Sequence, residues 1–257
     1  MTTRTLVEGQ SAARKPLLQR LHRLRRATMG WRPLLIDRAP PWACRMFGPL
    51  GKRLDMLLVD HGIFRIIYLN KHRLGTQAWR SAQPAPHQIR AMARKGLRTI
   101  INLRGDHASG SYWLESAACR KHGVELINFR LRSRDAPPKE VLRAARDLLE
   151  RVEHPVLMHC KSGADRAGLM GVLYRIVVEK EPVALARRQL AARFGHFRSA
   201  DTGVLDFVFD RYVQDNARAP IPFFEWVDTV YDPAALKQEF RSKGWANRLV
   251  NGVLRRE

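Results

Sequence analysis

Apolar and polar positions follow two different periods along the middle of the chain. Short apolar runs rich in β-branched and aromatic residues, bounded by turn-forming residues, are typical of strands. Between these runs, apolar residues recur every three to four positions, which is typical of helices that bury one side. The predicted strands are 62–69 with 76–80 as its hairpin partner, 99–103, 124–131 and 156–159, and the predicted helices are 86–95, 112–122, 139–152, 163–179, 182–194 and 201–216.

The two ends of the chain differ from this middle part. The first part is rich in arginine and proline, and a short basic amphipathic helix is predicted near residues 17–24. After the break at 220–222, an aromatic-rich segment leads to a last amphipathic helix near 245–254. We therefore predict a basic N-terminal arm at 1–58, a central domain at 59–218 and a helical C-terminal extension at 219–257.

The stretch 156–168 carries the candidate chemistry. An apolar run predicts a strand that delivers His159 and Cys160, Gly163 allows a tight turn, and a helical pattern follows. A loop that enters a helix N-terminus can aim backbone N–H groups, a sulfur and a guanidinium at one small anion, for which phosphate is the obvious candidate. The predicted phosphate-binding residues are Lys161, Ser162, Gly163, Ala164, Asp165 and Arg166.

Cys160 is the predicted nucleophile of this loop. A thiol at a helix N-terminus beside a cation reacts as a thiolate more readily than a free thiol does. We expect it to attack phosphorus in line and form a cysteinyl-phosphate, while Arg166 and the loop amides stabilise the equatorial oxygens and water then releases phosphate. His159 is expected next to the sulfur, where it either tunes the thiol or orients the backbone.

This segment resembles the His-Cys-x5-Arg signature loop of the protein tyrosine phosphatase superfamily, most closely its compact dual-specificity and bacterial members. Residues 79–84 and 97–104 resemble further parts of the same family, so the resemblance covers about residues 60–215. It implies an α/β fold with a central, mostly parallel sheet of about four to five strands flanked by helices. It also implies a phosphate monoester hydrolase, of the protein tyrosine or dual-specificity type, that uses no cofactor and no metal.

Three positions of the loop bear on which member of the family this is. Ala167 stands where most members carry Ser or Thr, whose hydroxyl helps the sulfur leave, so hydrolysis of the phosphoenzyme is expected to be slow. Asp165 resembles myotubularin-like lipid phosphatases and some secreted bacterial phosphatases, and Lys161 resembles phosphoinositide phosphatases of the phosphatase-and-tensin type. A phosphatase of phosphoinositides or other phospholipid head groups is therefore the alternative function, and a phosphate-binding pseudophosphatase scaffold is the second alternative.

Asp135 is the predicted general acid. It lies in the turn 133–138, 25 residues before Cys160, and the family carries such an aspartate on a loop some way before the cysteine. A carboxyl on a loop beside the phosphate site can protonate the leaving oxygen and then take a proton from the attacking water. Asp165 and Asp106 are the alternatives for this role, and Asp135 would otherwise serve as a helix cap or turn former.

Charge and cysteine content restrict the partners. The chain has 46 Lys and Arg against 24 Asp and Glu, a net charge of +22, which favours anionic ligands or surfaces. Its three cysteines lack metal-ligand spacing, so we expect no disulfide framework and no metal site, and the reducing cytoplasm suits them.

The expected partner is a phosphorylated protein or an anionic phospholipid. The sequence predicts no secretory signal and no membrane span, so membrane contact is expected only as peripheral contact of the basic ends with an acidic surface. No recognition motif accompanies the scattered arginines, and we expect no specific nucleic acid partner.

Overall fold

The computed structural model describes residues 69–107 and 109–242. The helices predicted near 17–24 and 245–254, and the strand predicted at 62–69 apart from its last residue, lie outside the described residues. The boundaries predicted for the arm, the central domain and the extension stay predictions. Among the described helices, none has the length and apolar content needed to cross a membrane.

One sheet of five strands forms the centre of the described chain. Its strands are β1 (His72–Arg73), β2 (Ala78–Ala82), β3 (Thr99–Asn102), β4 (Glu125–Asn128) and β5 (Val156–Cys160). They lie in the order β1-β2-β5-β3-β4, with β2, β5, β3 and β4 parallel and β1 antiparallel to β2 at one edge. The predicted α/β fold with a mostly parallel sheet is therefore confirmed, and the antiparallel partner of β2 in the described residues is β1.

Helices connect the parallel strands and cover both faces of the sheet. They are α1 (Pro86–Ala93), α2 (Gly110–His122), α3 (Lys139–Arg151), α4 (Asp165–Val177), α5 (Val183–Ala186), α6 (Val204–Arg218), α7 (Phe223–Thr229) and α8 at 233–242. The predicted stop of α2 is confirmed at Gly123, whose φ of 66° is the left-handed conformation that commonly ends a helix.

β5 lies between β2 and β3, and all five of its residues are buried. A strand covered on both faces by helices reads as a continuous apolar run, which is why the sequence pattern here was clear. Its side chains alternate between faces: Met158 and Cys160 join the core formed with α3, α4 and α6, whereas Leu157 joins the smaller core formed with α1 and α2. His159 and Cys160 therefore point to opposite faces of the sheet.

The parallel strands end at one common edge of the sheet. Ala82 at the end of β2 pairs with Cys160, and Asn102 at the end of β3 pairs with His159. The loops that follow these strands consequently open on the same side. In open α/β sheets this is the edge at which ligands bind.

The prediction of a single helix at 182–194 is wrong. The structure has the one-turn helix α5 followed by two 3-10 turns, Arg187–Gln189 and Ala192–Phe194. The carbonyl of Gln189 accepts a hydrogen bond from Arg80 Nη1 at 2.5 Å, and Leu190 leaves the helical conformation with φ −98° and ψ 84°. A buried cation from a distant strand thus overrides the local helical pattern.

The segment after α6 packs on the main core. Phe223, Trp226, Tyr231 and Leu236 are buried in the same core as α3 and α4. The Tyr231 hydroxyl donates to the carbonyl of Pro137 at 2.9 Å, and burial raises the pKa of this phenol. The described part of the predicted extension therefore contacts the loop that precedes α3.

Candidate active site

The loop between β5 and α4 requires glycine at one position. Gly163 has a φ of +76°, and a Cβ placed on it would lie 2.6 Å from the Ala82 nitrogen and 2.7 Å from the Ser81 carbonyl carbon. Both the backbone conformation and the close approach to the end of β2 exclude a side chain. Because its φ is positive, Gly163 does not have the α-helical conformation, and α4 begins at Asp165 instead of the predicted residue 163.

Three successive carbonyl groups of this loop are held from one side. Asn70 Nδ2 donates to the Ser162 carbonyl at 2.9 Å. Arg80 Nη2 donates to the carbonyls of Gly163 and Ala164, at 2.8 and 2.7 Å. In a trans peptide the N–H points opposite to the C=O, so the N–H groups of residues 163, 164 and 165 point away from Asn70 and Arg80. They form a concave set of donors at the start of a helix, which is a site for a small anion.

Arg80 is the main support of the loop. Its side chain is fully buried, lies over the ring of Phe194 with 4.4 Å from Cζ to the ring centroid, and also donates to Gln189. Burial lowers the pKa of Arg80 to about 10, although the charges of Cys160 and Asp165 act in the opposite direction. The guanidinium therefore remains charged at neutral pH and adds positive potential beneath the sulfur.

The two residues that define the predicted signature lie at opposite ends of the loop. Cys160 is a free thiol, 2% exposed, at the end of the central strand. Arg166 is half-buried in the first turn of α4 and has no hydrogen-bond or ion-pair partner among the described residues. A guanidinium without a protein anion among the described residues and a row of N–H groups suit a phosphate group, whose oxygens accept from these donors, with the Cys160 sulfur at the other end of the loop.

The other predicted loop residues divide into exposed and buried ones. Ser162 is exposed and Lys161 is half-buried, whereas Ala164 and Ala167 are buried. Ala167 is fully buried in the main core, so the position where the family usually carries a hydroxyl is apolar here.

His159 does not lie next to the sulfur, as expected from the sequence, because strand alternation turns it to the other face. Its Nε2 lies 2.5 Å from Oε1 of the fully buried Glu115 on α2. The pair is at ion-pair distance but is not aligned as a hydrogen bond. Glu115 Oε2 accepts from Gln83 Nε2 at 2.7 Å, and Arg104 donates to Gln83. This network anchors β5 to α2, which fits the backbone-orienting alternative for His159.

Asp165 is held by a buried histidine. His196 Nδ1 lies 2.8 Å from Asp165 Oδ1 and Nε2 lies 2.6 Å from Asp206 Oδ2, so both ring nitrogens face carboxylates. Burial lowers the pKa of His196, but the hydrogen bonds and charges of Asp165 and Asp206 outweigh it and raise the pKa to about 9. At neutral pH an imidazolium therefore joins the start of α4 to α6.

Asp135 lies on the loop that connects β4 to α3, and cations from two segments contact it. Lys237 of α8 forms an ion pair with Oδ1, and Arg132 Nη1 lies 3.9 Å from Oδ2. The side chain of Asp135 is 30% exposed, and the next residue, Ala136, is buried. The carboxyl is thus only partly exposed, with Oδ1 buried beside Lys237, on a loop fixed at Ala136 and Pro137.

Sequence reasoning missed Asn70, Arg80, Glu115 and His196. Arg80 stands in the segment 79–84 that carries the family resemblance, and an arginine inside a buried strand is a signal that was available. Glu115 is the one charged residue on the buried side of α2, which is a weaker signal. Asn70 and His196 lie in connecting segments, and no pattern in the sequence distinguishes them.

Comparison with known proteins places the chain among phosphatases. A family model described as "DSP-PTPase phosphatase fused to NAD+ Kinase" matches residues 68–203, just over half of the chain. The dual specificity protein phosphatase TpbA of Pseudomonas aeruginosa strain UCBPP-PA14 is 36% identical over 111 residues, 43% of this chain and 48% of the relative.

A second relative carries a different name. The inositol diphosphatase DSP4 of Arabidopsis thaliana is 30% identical over 129 residues, 48% of this chain and 56% of the relative. The chain spans about half the length of the curated relatives it matches. Among solved structures, that of P. aeruginosa TpbA is 24% identical with a TM-score of 0.44, covering 67% of this chain and 91% of that chain.

Proposed function

We propose that this chain, which belongs to the DSP-PTPase phosphatase family, hydrolyses phosphate monoesters through a phosphoryl group carried on Cys160. The observation that carries the proposal is the arrangement of the loop 160–166. Its carbonyls at 162, 163 and 164 are held by Asn70 and Arg80, which leaves the following N–H groups directed to the other side. Donors fixed in advance stabilise developing charge without reorganisation, which is the largest contribution in many enzymes.

The proposed reaction has two steps. The Cys160 thiolate attacks phosphorus, the bond from phosphorus to the ester oxygen breaks, and the leaving oxygen takes a proton from Asp135. Water then attacks the cysteinyl-phosphate and gives its proton to Asp135, which releases phosphate and restores the thiolate. Arg166 and the loop N–H groups hold the equatorial oxygens in both steps.

Asp135 is the proposed acid in preference to Asp165. The carboxylate of Asp165 accepts from the His196 cation, and a proton on that carboxylate would remove the acceptor that His196 requires. Asp135 contacts cations whose side chains are 34% exposed (Lys237) and 79% exposed (Arg132), so solvent weakens these ion pairs more than the contact of Asp165 with the fully buried His196. Its carboxyl can therefore leave Lys237 and reach a leaving oxygen at a smaller cost than Asp165 could leave His196.

Ala167 sets the expected balance of the two steps. The fully buried methyl group offers no hydroxyl to the departing sulfur in the second step. We therefore propose that breakdown of the cysteinyl-phosphate is slower than its formation for substrates with good leaving groups.

Phosphoprotein is the proposed substrate. The relatives named dual specificity protein phosphatase are 36% and 33% identical, against 30% for the inositol diphosphatase. A phosphorylated inositol, free or as a lipid head group, is the second candidate, favoured by that relative and by the net charge of +22. The reduced thiol that the reaction needs favours the cytoplasm as the proposed setting.

A matched pair of cysteine variants tests the proposal. Cys160→Ser should abolish hydrolysis of para-nitrophenyl phosphate and retain binding of vanadate or phosphate. Cys119→Ser should leave hydrolysis unchanged, because burial raises the pKa of the Cys119 thiol to about 12 and it lies on α2, away from the loop. Retained turnover in Cys160→Ser would discard the mechanism.

A substrate panel separates the two candidates. Rates with phosphotyrosine and phosphothreonine peptides are compared with rates for phosphoinositides and inositol pyrophosphates at equal concentration. Phosphoprotein specificity predicts a kcat/KM at least about tenfold higher for peptides, a difference of about 1.4 kcal/mol. The reverse order would make the phosphorylated inositol the substrate.

A further inference from the structure

A cavity of about 500 Å³ lies on the side of the phosphate loop opposite to its N–H groups. Its wall includes Gln189 and Phe194, which contact the Arg80 guanidinium, and His72, whose Nε2 lies 2.8 Å from Asn70 Oδ1. Arg80 and Asn70 hold the loop carbonyls, so the cavity borders the support of the loop and is separate from the proposed catalytic cradle.

The wall of this cavity is strongly basic. Four of its side chains are arginines, and Glu181 is its one carboxylate. Glu181 is already neutralised, since Arg175 Nε and Nη2 bind its two oxygens at 2.5 and 2.8 Å, while Arg175 Nη1 donates to the Leu74 carbonyl. The hydrogen bond from Arg175 lowers the pKa of Glu181, so this pair persists at neutral pH.

Two guanidinium groups of the wall remain available to a ligand. Arg188 and Arg193 are exposed and have no hydrogen-bond or ion-pair partner among the described residues; Arg193 lies over the ring of Phe194 at 4.6 Å. The pKa of His72 is lowered by burial and then by Arg80 and Arg193, which shows excess positive charge on this side of the loop. An anion placed there would be stabilised by the same charges.

We infer that this cavity binds a small molecule carrying two or more phosphates, held by Arg188 and Arg193, and that its occupancy alters the phosphate loop. Guanidinium groups bind phosphate in a bidentate manner, and a volume of about 500 Å³ lies within the usual range for small-molecule sites. Leu185 and Phe194 supply apolar wall for a ring on the ligand.

The coupling to the loop runs through Gln189. Both its backbone carbonyl and its Oε1 accept from Arg80 Nη1, at 2.5 and 3.2 Å, while Arg80 Nη2 holds the loop. A ligand that moves the segment 187–194 changes the position of these acceptors. The expected effect is a change in kcat, which does not disappear at saturating substrate.

Binding is measured first, in protein from which the guanidinium of Arg166, the proposed catalytic cation, has been removed. The 257-residue chain carrying Arg166→Met is titrated calorimetrically with inorganic tripolyphosphate, and separately with ATP to test whether a ring on the ligand adds affinity. The additional double change Arg188→Ala with Arg193→Ala should weaken binding by about tenfold or more. The additional single change Arg94→Ala, at an exposed arginine of the α1 C-terminus, should leave the affinity within about twofold.

Activity is measured second, in protein with an intact loop. Tripolyphosphate should change the kcat for para-nitrophenyl phosphate in the wild type and act only as a competitive inhibitor in the Arg188→Ala, Arg193→Ala variant, whose activity without tripolyphosphate should be unchanged. Equal affinity with and without Arg188 and Arg193, or an equal loss in the Arg94 control, would overturn the inference. Because the binding arm needs no turnover, its result is independent of whether Cys160 is the nucleophile.

Discussion

The loop that carries Cys160 and the loop that carries Asp135 are held in different ways. The first is fixed from behind by Asn70 and by the fully buried Arg80, and its Asp165 is tied to the buried His196. The second is fixed by a buried hydrogen bond at Pro137 and by ion pairs of the partly exposed Asp135 with Lys237 and Arg132. Buried charged hydrogen bonds are costly to break, whereas partly exposed ion pairs contribute less.

This difference matches the tasks proposed for the two loops. A cradle for transition-state charge gains from rigidity, because its donors must already be in place. A carboxyl that first gives and then takes a proton must reach two different oxygens, which favours a weaker hold. The supports of the first loop lie within residues 68–203, which match the phosphatase family, whereas Lys237 and Tyr231 lie beyond that match.

The largest expected effect comes from breaking the support of the first loop. Arg80→Met removes the donors that Arg80 supplies to the carbonyls of Gly163, Ala164 and Gln189, and we expect a loss of about 3 kcal/mol or more in the free energy of unfolding. The kcat/KM for an aryl phosphate should fall by about a hundredfold or more, because the N–H groups lose their orientation. Urea unfolding and steady-state kinetics measure the two quantities.

Two further variants control for this change. Arg94→Met removes an exposed arginine of the same chain and should alter neither quantity. Arg80→Lys keeps the charge but lacks the planar fork, so it should restore part of the stability and little of the activity. A folded Arg80→Met protein with wild-type kinetics would show that the loop does not depend on this guanidinium.

Removing the proposed acid should affect chemistry with little effect on folding. Asp135→Asn should lower kcat/KM for esters with poor leaving groups by about 10²- to 10⁴-fold and hardly affect kcat/KM for those with good ones, because kcat/KM reports the formation of the cysteinyl-phosphate and not its breakdown. A plot of log kcat/KM against leaving-group pKa, with its steeper slope in the variant, is the measurement. If Asp165→Asn gives that slope and Asp135→Asn does not, the two carboxyls have the opposite roles.

His196 should make stability depend on pH in a defined window. Its folded pKa of about 9 exceeds the ordinary value of 6.5, so the protonated ring stabilises the fold fully below pH 6.5. That contribution, about 2–3 kcal/mol, should be lost as pH rises through about 9. His196→Gln should be less stable at pH 6 and lose this decline, whereas the exposed His87→Gln should keep it. Chemical unfolding of the wild type and of both variants from pH 6 to 10 measures this decline in the free energy of unfolding.

The weakest expected effect comes from releasing the second loop. Lys237→Met removes the ion pair with Asp135, and we expect a change below about 1 kcal/mol in the free energy of unfolding. The kcat for poor leaving groups should rise a few-fold, since the carboxyl no longer has to leave a cation. Lys121→Met, an exposed lysine on α2, serves as control. A fall as large as that of Asp135→Asn would show that Lys237 holds the acid in its working position.

The sequence predicted what depends on neighbouring residues. The apolar run of β5, the glycine that the turn at 163 requires and the helix after it are short-range features, and they placed Cys160 and Arg166 at the two ends of one loop. The phosphatase family and the mostly parallel sheet were implied by the resemblance of this loop and of residues 79–84 and 97–104 to that family, and both are confirmed.

The sequence did not predict what depends on distant pairs. Arg80 contacts Gly163, Ala164 and Gln189, which follow it by 83, 84 and 109 positions in the sequence. His196 contacts Asp165, 31 positions before it, and Asp206, 10 positions after it. Such pairs leave no periodic pattern, and Arg80 even broke the pattern that predicted a helix at 182–194. The placement of His159 beside Cys160 failed because adjacency along a strand puts side chains on opposite faces.

Trapping the phosphorylated protein tests most directly whether Cys160 carries the phosphoryl group. The full chain is mixed with a radiolabelled aryl phosphate, quenched in acid within milliseconds, digested and mapped. The label should appear on the peptide that contains Cys160, persist in Cys119→Ser and vanish in Cys160→Ser together with turnover. Hydrolysis that proceeds in Cys160→Ser, or a label on any other residue of an active protein, would contradict the mechanism proposed for this loop.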